Sequence, residues 1–384
     1  MQTIEILERL VAFPTVSAAS NLELIAFIEA ILQEAGFDCR RFADATGRKA
    51  ALFASLGPSD VPGLLLSAHS DVVPVEGQSW ASDPFRLTER GGRLYARGST
   101  DMKGFLASMV SAAVRARHRP LSAPLQLAIS YDEEIGCVGV RPMLDELVRI
   151  GLKPRFCLIG EPTTMRVATG HKGKLALRAV CRGVSAHSAT APLALNAIQL
   201  ASDLVVGIRD IQAQIKAVGA RDPGYDVPYT TLHVGTIRGG TSLNIVPDQA
   251  VLEFEIRHLA ADDADAIVGA VVRKATAIAA PHLARFPNAA IDIEIRNRYP
   301  GLDMPADCNA VNRVQAILGK ETESIKVAFG TEAGLFHERL GVPAIVCGPG
   351  SMEQGHRADE FVETAQLADC DVFLERLIDG ITGS

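Results

Sequence analysis

No stretch of this sequence approaches the roughly 20 apolar residues that a helix needs to cross a bilayer, so no membrane span is expected. Residues Met1 to Leu10 are acidic and amphipathic, and they lack the basic-then-apolar layout of a secretory signal. There is no basic run: 38 Lys and Arg stand against 45 Asp and Glu, a net charge of −7. A chain with that balance gains nothing from phosphate backbones, which argues against nucleic acid as a partner. C-x-x-C spacing is absent as well. Cys39, Cys137, Cys157, Cys181, Cys308, Cys347 and Cys370 stand singly and are odd in number, against both a disulfide framework and a thiolate metal site. Most read as small buried apolar residues, and the compartment expected is the reducing cytosol. G-x-S-x-G, P-loop, G-x-G-x-x-G and H-E-x-x-H patterns are missing too, so serine hydrolase, nucleotide-dependent, dehydrogenase and zincin chemistry lose support.

What is present is a chain of 384 residues, 48% of them apolar, with no internal repeat. That length exceeds the usual single core, and the composition is that of a well-packed globular protein. Ser20 and Glu23 have capping-box spacing ahead of a helix with Leu24, Phe27, Ile28 and Ile31 on its apolar face, ending at Gly36. Gly63 to Ala68, Leu125 to Ser130 and Phe156 to Ile159 read as buried strands, separated by helical stretches at Phe105 to Arg117 and Val138 to Ile150. Such alternation predicts a mostly parallel sheet flanked by helices.

From about Lys174 the order changes to βαββαβ. The strands are Leu175 to Cys181, Thr230 to Ile237, Val251 to Arg257 and Ala290 to Arg296, and the helices Leu193 to Lys216 and Asp262 to Ala279. This is a split, ferredoxin-like α+β unit. The α/β alternation resumes after about Asn297, with Ala344 to Cys347 as another buried strand. The expected organisation is a large α/β domain in two parts, 1–173 and 297–384, with a smaller domain, 174–296, inserted between them.

Candidate ligands fall just past the strand ends, where open α/β sheets place their binding sites. His69 and Asp71 follow Ala68, Asp101 precedes a helix beginning near Met102, Glu133 and Glu134 follow Ser130, and Glu161 follows Ile159. Each alone has an ordinary reading: a satisfied polar histidine, a helix N-cap, an acidic first turn. Together, five carboxylates and an imidazole at one sheet edge repel one another unless cations intervene, and two cations resolve this better than one. Residues two apart in an extended segment face the same way, so Asp71 is suited to orient His69 as a ligand. Glu133 and Glu134 diverge, so one can bind metal while the other faces a water as general base. Oxygen and imidazole donors without thiolate suit a catalytic zinc site, and accept cobalt or manganese as well.

The segments Ser67-Ala68-His69-Ser70-Asp71, Gly98-Ser99-Thr100-Asp101-Met102-Lys103-Gly104, Asp132-Glu133-Glu134, Gly160-Glu161-Pro162-Thr163, Ser185-Ala186-His187-Ser188 and Gly355-His356 resemble, in order, those of the dizinc aminoacylase/carboxypeptidase family. The resemblance covers essentially the whole chain. It implies a first zinc held by His69 and Glu161, a second held by Glu134 and His356, and Asp101 bridging both. It implies Asp71 orienting His69, Glu133 as general base, and a non-proline cis peptide at Asp101-Met102. It further implies that His187 reaches the partner subunit's active site to stabilise the oxyanion, making the enzyme a homodimer with the inserted domain as lid and interface. Asn244 and Arg257 resemble residues that hold the substrate carboxylate.

The runs Asp101 to Phe105 and Phe329 to Gly334 resemble family members that deacetylate N-acetyl-L-ornithine in arginine biosynthesis more than those that desuccinylate. Glu332 is expected near the ornithine ammonium, since a buried cationic tail needs an acidic partner. The alternatives are a broader N-acyl-amino-acid hydrolase, a succinyl-diaminopimelate desuccinylase or a dipeptidase on the same frame. Outside catalysis, an inactive amino-acid-binding relative would have lost a ligand or the base, and none is lost here.

Overall fold

The computed structural model describes every residue except 18, 320–322 and 384. Four strands in which every residue is buried form the middle of the main sheet: Leu64–His69, Leu125–Ser130, Phe156–Ile159 and Ala344–Val346. Their mostly apolar character follows from coverage on both faces, as parallel strands require. Leu64–His69 pairs in parallel with Leu125–Ser130 on one side and Phe156–Ile159 on the other, and Ala344–Val346 pairs in parallel with Phe156–Ile159. Antiparallel strands extend the sheet. Ala50–Leu56 joins Leu125–Ser130, the largely exposed Asp38–Ala43 forms the edge beyond it, and Ala168–His171 joins Ala344–Val346.

The helix Lys103–Ala116 is buried along almost its whole length because it packs on the sheet while Thr3–Val11 and Thr364–Asp379 pack on it. It begins at Lys103, one residue after the start expected at Met102, and the Asp101-Met102 peptide before it is cis. Lys103 itself is wholly buried and donates to the carbonyls of Leu10 (3.0 Å) and Phe13 (2.8 Å), which ties the chain's first helix to the segment carrying Asp101. The capping box expected at Ser20 and Glu23 does not form. Asn21 is the N-cap of Leu22–Glu34, and its amide is spent on the Ala50 backbone and the Ser70 hydroxyl, a tertiary demand that local spacing does not reveal. A separate three-stranded sheet, ordered Phe361–Glu363, Arg93–Tyr95, Thr88–Arg90, pairs Phe361 with Tyr95.

Two compact units divide the chain. The first comprises Met1–Gly170, Leu302–Lys326 and Thr331–Ser384; the second comprises His171–Gly301 and Val327–Gly330. The second unit has the βαββαβ order, and its four antiparallel strands lie in the order Thr231–Gly239, Gln249–His258, Gly173–Arg182, Ala290–Tyr299. Alternating burial along Gly173–Arg182 turns Leu175, Leu177 and Ala179 into a core with Leu200, Leu204 and Val271 of the helices Ala197–Val218 and Ala264–Ala279. The first of these helices starts four residues later than expected. Asn196 caps it by accepting from Ile198 N (2.9 Å), and Ser188–Leu193 forms a 3-10 turn instead. Among the described residues the seven cysteines form no disulfide, and five of them are buried. Among the described residues no helix is long and apolar enough to cross a membrane.

Candidate metal centre

His69 is the last residue of its strand and is 1% exposed. Its Nδ1 lies 3.0 Å from the Asp71 carbonyl oxygen and 3.5 Å from Asp71 Oδ1, which fixes the ring and leaves Nε2 facing the cluster. That Nε2 is 3.1 Å from Asp101 Oδ1 and 3.9 Å from Glu161 Oε1. The other Asp101 oxygen, Oδ2, is 3.1 Å from His356 Nε2, and the same ring nitrogen is 3.0 Å from Glu134 Oε2. One carboxylate thus spans two imidazoles, each with a further glutamate beside it. His69, Glu133 and Glu161 bring one ligand atom each within 4.8 Å of one another, as do His69, Asp101 and Glu134.

Asp71 organises the loop as well as the imidazole. Its Oδ1 accepts from the Glu133 backbone N–H (3.1 Å), and its Oδ2 accepts from the Glu134 backbone N–H (3.3 Å) and the Ser17 hydroxyl (2.8 Å). With both amides held, the two glutamate side chains diverge. Glu134 turns to His356, while Glu133 accepts from the Cys137 thiol at 3.3 Å.

The electrostatics show a cluster short of positive charge. Burial, reinforced by neighbouring carboxylates, holds the carboxyls of Glu133 and Glu161 well above the usual range, with His69 opposing. Burial and then the Asp101 charge push Glu134 up to about 7. Hydrogen bonds to Asp101 and Glu134 raise His356 to about 10. Burial works against a charged His69, yet its bonds to Asp101 and Asp71 outweigh that and raise it well above its ordinary value. Asp101 is lowered in return: burial opposes its ionisation, and His356 and His69 overcome the opposition. Protons therefore sit between donors that a divalent cation binds in deprotonated form. Glu134 Oε1 is buried and has no hydrogen-bond partner, a lone pair directed at nothing in the protein. The donor set of carboxylates and imidazoles fits divalent metal.

Three of the remaining candidates belong to the second unit, and Glu332 lies beside the cluster, where the charges of His69 and Asp71 act on it. His187 and Asn244 are exposed residues of the second unit, held together by backbone pairing: Ser188 N donates to the Asn244 carbonyl at 2.9 Å. Arg257, also in the second unit, donates to the Tyr299 hydroxyl (3.2 Å) and pairs with Glu255. Glu332 is in the first unit and 1% exposed, with the Ser67 hydroxyl 3.5 Å from its Oε2 and no partner for its Oε1. Its burial matches that of His69 and Glu161. Sequence reasoning missed Gln78 and Glu360, which hydrogen-bond the backbones of His356 and Asp101, and Arg97, which joins their side chains. Arg97 and Glu360 each stand four residues from a ligand in sequence, and Gln78 carries no local signal.

An α/β sheet carrying a carboxylate–imidazole cluster past the ends of its parallel strands defines a metal-dependent hydrolase. The chain belongs to peptidase family M20/M25/M40, whose sequence profile matches residues 65–380. It is similar to the acetylornithine deacetylase of Photorhabdus laumondii, at 31% identity over 98% of this chain and 96% of the relative. In fold it resembles the M20 family metallo-carboxypeptidase Sso-CP2 from Sulfolobus solfataricus, with a TM-score of 0.79, 19% identity and 98% of each chain covered. It also resembles the YXEP protein of Bacillus subtilis, a dinuclear metal-binding M20 peptidase, with a TM-score of 0.70, 17% identity, and 99% and 97% of the two chains covered.

Proposed function

We propose that this chain removes the acetyl group from N-acetyl-L-ornithine, giving ornithine and acetate, a reaction of arginine biosynthesis. The observation that carries the reading is Asp101, whose two oxygens each lie 3.1 Å from a different imidazole, His69 and His356. That arrangement supports a bridged pair of divalent ions, zinc by donor type, with His69 and Glu161 on one, Glu134 and His356 on the other. The similarity to acetylornithine deacetylases over nearly the whole chain supports the substrate.

Bound divalent ions supply a polarised scissile carbonyl and an acidified water. The protein's own groups do the rest. Glu133, whose carboxyl burial keeps inclined to hold a proton, accepts one from the attacking water and returns it to the departing amine nitrogen. Asp71 holds the His69 ring and the Glu133 backbone in one geometry. His187 donates to the developing oxyanion from the partner subunit of a homodimer, in which the second unit serves as lid and interface. Arg257 and Asn244 receive the substrate carboxylate, the guanidinium by paired N–H donation. Seven cysteines that form no disulfide among the described residues support a reducing, cytoplasmic setting.

The test is a substrate panel on protein reconstituted with zinc, comparing N-acetyl-L-ornithine, N-succinyl-L,L-diaminopimelate and simple dipeptides, with Glu133→Ala as the silent control. The highest kcat/KM is expected for N-acetyl-L-ornithine. A succinyl substrate or dipeptide turned over more efficiently would displace the assignment, and light scattering would decide the dimer.

A further inference from the structure

We infer that Gln78, Arg97 and Glu360 form a positioning relay that fixes the spacing between Asp101 and His356, and thereby sets the affinity of the cation position that His356 completes. This rests on the dinuclear reading proposed above.

The relay begins at Glu360, whose Oε1 accepts the backbone N–H groups of Thr100 (2.9 Å) and Asp101 (3.0 Å). Its Oε2 pairs with Arg97 Nη1 at 2.6 Å, both side chains being 1% exposed. Arg97 Nη2 donates to Gln78 Oε1 at 2.6 Å, and Trp80 Nε1 donates to the same oxygen at 3.2 Å. Two donors on one amide oxygen settle which way the amide faces. Its nitrogen, Nε2, therefore points the other way and donates to the His356 carbonyl at 3.0 Å. A continuous chain of hydrogen bonds thus runs from the backbone of the bridging carboxylate to the backbone of the outermost imidazole.

His356 needs such a tether more than the other ligands do. Its side chain is 46% exposed, against 1% for His69, and its φ of 61° is a conformation that non-glycine residues seldom adopt. It lies in the loop between the strands Ala344–Val346 and Phe361–Glu363, outside the sheet that holds His69. A buried ion pair such as Arg97–Glu360 is by itself weak evidence of stability, because desolvation cancels much of the attraction. Here Glu360 spends its other oxygen on the backbone N–H groups of Thr100 and Asp101, and Arg97 carries the contact on to the Gln78 side chain. Among the described residues, none of the three hydrogen-bonds His69 or Glu161. Gln78 touches only the His356 end of this chain of bonds, so its loss acts on the cation position that His356 completes, while Asp101 keeps its hold through Glu360.

The experiment titrates metal-free protein with Co²⁺, following heat and the visible absorption of the bound ion, for the parent, Gln78→Leu and Gln78→Glu. Leucine removes all three contacts; glutamate keeps an acceptor for Arg97 and Trp80 and loses the donor to His356. Both variants are expected to keep the first binding step within about twofold of the parent and to weaken the second about tenfold, the usual scale for a partner that orients a ligand. Near-UV circular dichroism of the metal-free proteins establishes that both are folded. An unchanged second step in either variant, or both steps weakened together, overturns the relay. A parent that takes up fewer than two ions per chain overturns instead the dinuclear reading on which it rests.

Discussion

Asp71 and His69 are held in a fixed relationship: the Nδ1 of the imidazole lies 3.0 Å from the Asp71 carbonyl oxygen and 3.5 Å from its carboxylate. The same carboxylate accepts the backbone N–H groups of Glu133 and Glu134, so ring orientation and loop position depend on a single side chain. Asp71→Asn keeps the size but substitutes an amide N–H for one acceptor, and that donor then faces the donors of the loop. The expected outcome is a loss of about ten- to a hundredfold in zinc affinity, read by calorimetric titration against a competing chelator. Parental affinity in this variant would show that the imidazole orients itself.

Glu133 and Glu134 are neighbours in sequence with different surroundings. Glu134 Oε2 is 3.0 Å from His356 Nε2, whereas Glu133 has a thiol donor and no imidazole that close. Glu133→Gln should lower kcat by about 10²–10⁴ while the protein still takes up two metal ions, since the lost function is proton transfer. Glu134→Gln should instead lower the metal content. Elemental analysis of both purified variants beside their rates separates the two roles, and a Glu133→Gln protein that loses a metal ion would reassign that residue as a ligand.

How far the sequence could be read depended on whether a feature was local. Leu64–His69 and Leu125–Ser130 were legible because strands buried on both faces are mostly apolar, and the ligands at their ends followed from where such sheets bind. His356 was not legible on that basis. It occupies a loop at positive φ, ten residues past Val346 rather than directly at a strand's end, and only resemblance singled it out. Gln78, Arg97 and Glu360 are ordinary polar residues whose importance exists only once the fold brings them together. Asn21 shows the opposite failure: a well-spaced Ser20 and Glu23 promised a local cap, and a tertiary bond to Ala50 took precedence.

His187 is exposed in the second unit, with its Nδ1 accepting from Ala189 N at 3.1 Å, which leaves Nε2 to donate. His187→Ala should reduce kcat by about 10²–10³, the range for one oxyanion donor, with metal content unchanged. If that donor acts in the partner subunit, mixing Glu133→Ala with His187→Ala protein under conditions of subunit exchange restores measurable turnover, because a mixed dimer contains one site with both groups intact. Two inactive proteins that stay inactive after exchange would confine His187 to its own chain's site, or remove it from the reaction.

Glu332 is enclosed in the first unit, and burial pushes its carboxyl from an ordinary 4.5 up to about 7, with the Ser130 and Ser67 hydroxyls and His69 only partly offsetting this. The sign follows from proton counting. Between those two values the folded, metal-free protein keeps a proton that the unfolded chain releases, so stability is full below about pH 4.5 and falls as pH rises to 7. The shift corresponds to at most about 3 kcal/mol. Glu332→Gln cannot ionise, so its urea-unfolding stability should lose less than the parent's between pH 5 and pH 8. We propose that Glu332 also faces the ammonium of the substrate tail, so the variant should lose preference for N-acetylornithine over N-acetylnorvaline. Parallel pH profiles for the two proteins would mean that the carboxyl ionises freely in the fold, and an unchanged preference would remove Glu332 from the substrate's cationic tail.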